Sequence, residues 1–161
     1  VYAMEEAGAD LIELGIPFSD PTAEGPVIMA ANERALKGGV TTDLIFEMVC
    51  RIRKRTDIPL VFMTYANVVY SYGTERFCKK AQECGISGVI LPDVPFEEKG
   101  DFSDIFEQFG MDLISMIAPT SEDRISRIAK EAEGFLYIVS SLGVTGVRAE
   151  IKTDLAAIMD A

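Results

Sequence analysis

Short apolar runs alternate with amphipathic stretches along this chain, and that alternation limits its fold more than any other feature. "ADLIELGI", "IPLVFMTY", "SGVILPDVP", "MDLISMIAP" and "GFLYIVS" have strand length and near-continuous apolar character. Between them lie stretches with helical spacing. "TTDLIFEMVCRIRKRT" places Ile45, Met48, Val49 and Ile52 on one stripe, with Thr41 or Thr42 placed to cap it. "GTERFCKKAQECG" ends on Gly85, and a further helix is predicted across Phe102, Ile105, Phe106 and Phe109. "SEDRISRIAKEAEG" is the cleanest helical pattern, with Ser121 as its expected cap. Strand–helix repeated five times predicts a parallel sheet covered by helices. Right-handed crossovers then leave two architectures open, a barrel or an open doubly wound sheet. "EGPVIMAANERALKGG" adds a short helix after the first strand. The opening "VYAMEEAGAD" reads as the second half of a helix rather than a natural start.

Composition narrows the chemistry. The chain has 161 residues, one domain's worth, and no stretch reads as an inter-domain linker. A formal charge of −11 with no basic cluster argues against nucleic acid. No apolar run approaches the roughly 18 residues of a membrane helix, and no leader opens the sequence, so the expected location is the cytoplasm. There is no histidine, which removes the Ser-His-acid triad and most zinc sites. Cys50, Cys78 and Cys84 have no metal spacing and are expected as buried cytosolic thiols. Acid–base work therefore falls to carboxylates, tyrosines, lysines or cysteines.

Polar residues crowd after the strands: Pro17, Ser19, Asp20 and Glu24; Thr64, Tyr65 and Asn67; Asp93; Thr120; then Ser140, Ser141, Gly143, Thr145 and Gly146. In either architecture the C-terminal ends of parallel strands are where ligands bind. Glu13 is the exception to the apolar rule. Ile12, Leu14 and Ile16 point one way along the strand, so Leu11, Glu13 and Gly15 point the other. With the aliphatics against the helices, Glu13 faces inward near the rim, and Gly15 leaves space above it. Desolvation there would raise its pKa toward neutrality, as an acid–base catalyst needs. The same position also suits a glutamate held by backbone or by a lysine. Glu24, in the loop above, makes a possible second acid, and "GVTG" offers backbone amides to a phosphate.

"IELGIPFSDPTAEGP" resembles the signature of tryptophan synthase alpha subunits. "YANVVYSYG", "LPDVPFEE" and "YIVSSLGVTG" resemble the same family, in matching order along essentially all 161 residues. The resemblance implies a TIM (β/α)8 barrel and retro-aldol cleavage of indole-3-glycerol phosphate to indole and glyceraldehyde 3-phosphate. It implies that Glu13 is the principal catalytic acid–base and Glu24 a second acid at the indole N–H, where aspartate is usual. Tyr137 matches a tyrosine holding Glu13 and substrate. Tyr65 lies in the pocket region, Thr145 in a closing loop, and Gly146 at a phosphate contact. Pro17, Asp20 and Asn67 match regions facing a beta subunit, in an alpha-beta-beta-alpha heterotetramer. No cofactor or metal is implied for this chain; pyridoxal phosphate is expected in the beta subunit. The 161 residues resemble strands two to six of the family's eight, a single but incomplete barrel domain expected to have little or no activity alone. Other readings stay open: another phosphate-binding barrel isomerase or epimerase, a docking module without chemistry, or an open five-stranded domain of unrelated role.

Overall fold

The computed structural model describes residues 1–140, 143, 144, 146 and 153–160. Four strands form one parallel sheet in the order β1 (Ile12–Gly15), β2 (Leu60–Met63), β3 (Gly88–Ile90), β4 (Asp112–Leu113). Two more, β5 (Ser115–Ile117) and β6 (Leu136–Ile138), pair in parallel with each other. Sequence order and spatial order coincide. A doubly wound sheet reverses its strand order at a switch point, so this is an arc of a barrel.

The predicted fourth strand is divided. Its first half pairs with β3, and Ile114 still donates its N–H to the Val89 carbonyl at 2.9 Å. Its second half, β5, pairs with β6. A strand that serves its two neighbours with different halves is staggered, as closing a sheet into a barrel requires.

Helices flank the strands, and most of them pack on one face. They are α1 (Tyr2–Glu6), α2 (Pro26–Lys37), α3 (Thr42–Ile52), α4 (Ala66–Tyr72), α5 (Thr74–Glu83), α6 (Gly100–Gln108), α7 (Ile125–Glu131) and α8 (Leu155–Asp160). Thr41 caps α3, its hydroxyl accepting the Leu44 N–H at 3.2 Å. α5 closes on Gly85 at φ +69°, the left-handed turn that glycine adopts without strain. The main core lies between helices and strands: Ile12 and Ile16 from β1 and its end, Leu60 and Phe62 from β2, Val89 and Leu91 from β3 and its end, with Phe46, Val49, Phe77 and Phe106 from the helices. Phe46, Phe62 and Phe77 meet with ring centroids 5.3 to 6.1 Å apart. Each buried ring removes enough apolar surface to contribute about 1.5–3 kcal/mol.

Three expectations change. α4 was not anticipated, because "YANVVYSYG" carries β-branched and aromatic residues of low helix propensity; packing of Val69 into the core overrides that. Ser121 does not cap α7. A 3₁₀ segment, Pro119–Arg124, intervenes, and the Ser121 hydroxyl turns back to accept the Ala118 N–H at 3.2 Å. The cysteines are not all thiols: Cys50 of α3 is disulfide-bonded to Cys84 at the end of α5, with Cα atoms 4.8 Å apart. The pairing crosses between two helices, so spacing along one helix does not reveal it. Cys78 alone is free; burial pushes its thiol pKa up to about 11, which keeps it unreactive.

At the end of the arc opposite the polar loops, one arginine ties two connections together. Arg53 donates to the Gly85 carbonyl at 2.6 and 3.1 Å and also to the Ile58 carbonyl. The charged stretch "RKRTDIP" is thus partly a staple rather than plain surface.

Candidate active site

The inner face of the arc is built by the strand positions that alternate with the core. Val61, Ile90 and Ile114 are buried there, with Met63, Met116 and Tyr137 packed against them. Register sets Glu13 beside Val61 and Gly15 beside Met63, so Glu13 belongs to this face. Ile12, Leu14 and Ile16 all pack with the helix-side core, as alternation requires. A side chain added at Gly15 would meet nothing within 4 Å, so the space beside Glu13 is open.

Glu13 is more exposed than an enclosed lumen would leave it. The arc is open on that side among the described residues, and solvent reaches the side chain. Neighbouring strands still displace water behind the carboxyl. That desolvation raises its pKa above the ordinary 4.5, and the charge of Glu24 raises it further.

Glu24 comes from the β1–α2 loop. Tyr65 holds that loop from below. It is buried, at 4% exposure, and its hydroxyl donates to Glu24 at 3.3 Å while accepting the Ala23 N–H at 3.0 Å. Its ring meets that of Phe18 at 5.3 Å. Burial is the largest influence on the Tyr65 phenol and raises its pKa above 10; the Ala23 N–H opposes the rise and Glu24 adds to it.

Tyr137 stands across the arc on β6, half-buried. Burial raises its pKa first, and the charges of Glu13 and then Glu24 raise it further. Three groups from β1, its loop and β6 therefore share one electrostatic field. Shifted titratable groups gathered on one inner face, here Glu13 and Tyr137, mark a candidate functional site.

The remaining expected residues divide. Pro17 and Asn67 line a single groove of about 390 Å³ between the end of β1, α2, α3 and α4. Asp20 is not among its lining residues; it is exposed and accepts the Ser19 hydroxyl. Gly146 is exposed, and a Cβ there would meet nothing within 4 Å. Thr145 lies outside the described residues. Among the described residues no group of three or more Cys, Asp or Glu could hold a metal, and no helix is long and apolar enough to cross a membrane. Two things escaped the sequence reading. One is the apolar inner wall, which strand alternation could have revealed. The other is the link from Tyr65 to Glu24, which has no local signal because 41 positions separate the residues.

Parallel strands in sequential order, with acids and tyrosines gathered on the inner face and at the C-terminal ends, define a (β/α) barrel protein with its polar site at the rim. Comparison with known proteins gives the particular family. The sequence profile described as "Tryptophan synthase alpha chain" matches residues 1–161, and the chain belongs to that family. The alpha chain of Alkaliphilus metalliredigens is 53% identical over 159 residues, covering 99% of this chain and 60% of that protein. That of Lactiplantibacillus plantarum is 51% identical over 160 residues, covering 99% and 61%. Among solved structures, the tryptophan synthase of Mycobacterium tuberculosis superposes with a TM-score of 0.87 at 34% identity, covering 98% of this chain and 62% of that one. A tryptophan synthase α2β2 complex from Pyrococcus furiosus gives 0.81 at 35% identity, covering 87% and 60%. The chain spans about 60% of the length of the curated relatives it matches.

Proposed function

We propose that this chain carries the catalytic strands of an enzyme that cleaves indole-3-glycerol phosphate to indole and glyceraldehyde 3-phosphate. The supporting observation is the shared field of Glu13, Glu24 and Tyr137 on the inner face. A carboxyl with raised proton affinity delivers a proton to indole C3 more readily at neutral pH. The protonated ring is a cationic indolenine. Loss of the proton from the glycerol hydroxyl beside the ring forms the aldehyde carbonyl. The electrons of the breaking carbon–carbon bond return to the ring as neutral indole. Glu13 moves both protons. Glu24, steadied by Tyr65, faces the indole N–H and offsets the positive charge. Tyr137 orients Glu13. The wall of Val61, Met63, Ile90, Ile114 and Met116 suits a flat aromatic ring; by resemblance to the family, Thr145 falls in the loop closing over the site and Gly146 at a phosphate contact.

In this reading the 161 residues form one domain, strands two to six of an eight-stranded barrel. The partner is a pyridoxal-phosphate-dependent beta subunit docked at Pro17, Asp20 and Asn67 in an alpha-beta-beta-alpha assembly, and this chain holds no cofactor of its own. The compartment is the cytoplasm. The test is indole release, assayed on the chain as it stands and with a full-length relative's flanking segments fused to both ends. The chain alone is expected to turn over weakly and the fusion well. Glu13→Gln in the fusion should lose about 10²–10⁴-fold, the usual worth of a general acid–base. Turnover within a few-fold of the parent would sink the assignment. The Pro17–Asn67 groove also supports a role in docking alone, in which stimulation of the beta subunit would survive Glu13→Gln.

A further inference from the structure

The loops after β1, β2 and β3 are joined by a run of hydrogen bonds, of which the reaction scheme uses only the link from Tyr65 to Glu24. Both carboxylate oxygens of Asp93, in the loop after β3, accept the Ala66 N–H at 3.0 and 3.2 Å. Ala66 opens α4, and a first-turn N–H has no partner within its own helix. The preceding residue, Tyr65, is the extended N-cap of α4 and makes no side-chain capping bond. Its side chain goes instead into the loop after β1, to the Ala23 N–H, Glu24 and the Phe18 ring. Two adjacent residues thus face opposite ways. Ala66 is anchored to one loop by its backbone, and Tyr65 holds the next loop by its phenol.

A buried ring has little freedom to swing independently, so the phenol follows its backbone. The hydroxyl sits at the far end of a long rigid side chain. A backbone tilt of roughly 10° at Tyr65 would move it by about 1 Å, a displacement that can cost on the order of 10²-fold in a productive site. An exposed aspartate at a helix start is ordinarily a cap that steadies only that helix. Here the capped N–H adjoins a side chain that holds the second acid's loop.

Resting on the reading of Glu24 as the second acid, we propose that Asp93 is a positioning residue: it fixes the Tyr65–Ala66 backbone and, through the Tyr65 phenol, sets where the Glu24 carboxylate stands. The loop after β3 is thereby coupled to the loop after β1 through Ala66 and Tyr65.

Amide hydrogen exchange and the carboxyl ¹³C resonance of Glu24, followed on the whole chain, test this. Asp93→Ala should speed exchange at Ala66 by roughly tenfold or more, the size expected for loss of a charge-assisted bond, and should speed it also at Ala23. The Glu24 resonance should move. Asp93→Asn keeps an acceptor oxygen and should restore all three signals. Tyr65→Phe should release Ala23 and shift Glu24 while leaving Ala66 protected. Faster exchange at Ala66 with Ala23 and Glu24 unchanged would overturn the proposal and make Asp93 only a helix cap. Equal acceleration at Phe62 in the core would overturn it as well, since general loosening needs no directed route. No readout depends on turnover, so a failed indole assay and a failed coupling remain separate results.

Discussion

At the residue scale, Glu13 decides most. Its raised pKa has a stability consequence with a definite sign. The folded chain keeps the Glu13 proton to higher pH than the unfolded chain does. Between the ordinary value of 4.5 and the raised folded value, the native state binds more protons, so stability falls as pH rises through that window. Above the window the penalty is fully present; below 4.5 it is absent. Glu13→Gln should therefore raise the melting temperature at pH 7 and leave it nearly unchanged at pH 4. Melting curves across that range check it, and an equal shift at both pH values would mean the carboxyl is not strained in the fold. The strand pattern revealed which way Glu13 points. It did not reveal how much water reaches the side chain, because exposure depends on how far the packed strands enclose that face.

At the element scale, the helix that follows the second strand and the disulfide were both invisible in the sequence. α4 has little intrinsic helix propensity and exists because Val69 is packed under it. The Cys50–Cys84 bond joins α3 to the end of α5 across 34 residues. Closing a loop of that length removes chain entropy from the unfolded state, worth up to about 4 kcal/mol at 25 °C. Unfolding by denaturant with and without a dithiol reductant should show a lower midpoint in the reduced chain. Cys50→Ser should match the reduced parent and no longer respond to reductant. Coincident midpoints for oxidised and reduced parent would mean the bond contributes no constraint. Where patterns are local, the sequence was more informative. Thr41 caps α3, and the stripe carrying Ile45 and Val49 is its buried face.

At the scale of the whole molecule, the arc has two unfinished sides. Among the described residues β1 pairs with β2 alone, and β6 with β5 alone. An unpaired edge offers backbone groups to another chain. The 161-residue chain should therefore self-associate as concentration rises, and fusion to a relative's flanking segments should suppress it. Light scattering against concentration separates the outcomes; a chain that stays monomeric through the high-micromolar range would show these edges to be covered. Net charge of −11 opposes association, so the effect should grow with salt.

Periodicity alone determined the α/β class, the five strand regions and the inward side of β1, because these follow from the 2.0 and 3.6 repeats of single elements. Motif resemblance added the family and the barrel. Tertiary structure decided the sequential strand order, the split of the fourth strand, the bond between Cys50 and Cys84, and the meeting of Glu13, Glu24, Tyr65 and Tyr137. Those contacts join residues far apart in the chain. No local pattern encodes them, since their geometry arises from how the packed layers bring loop against loop.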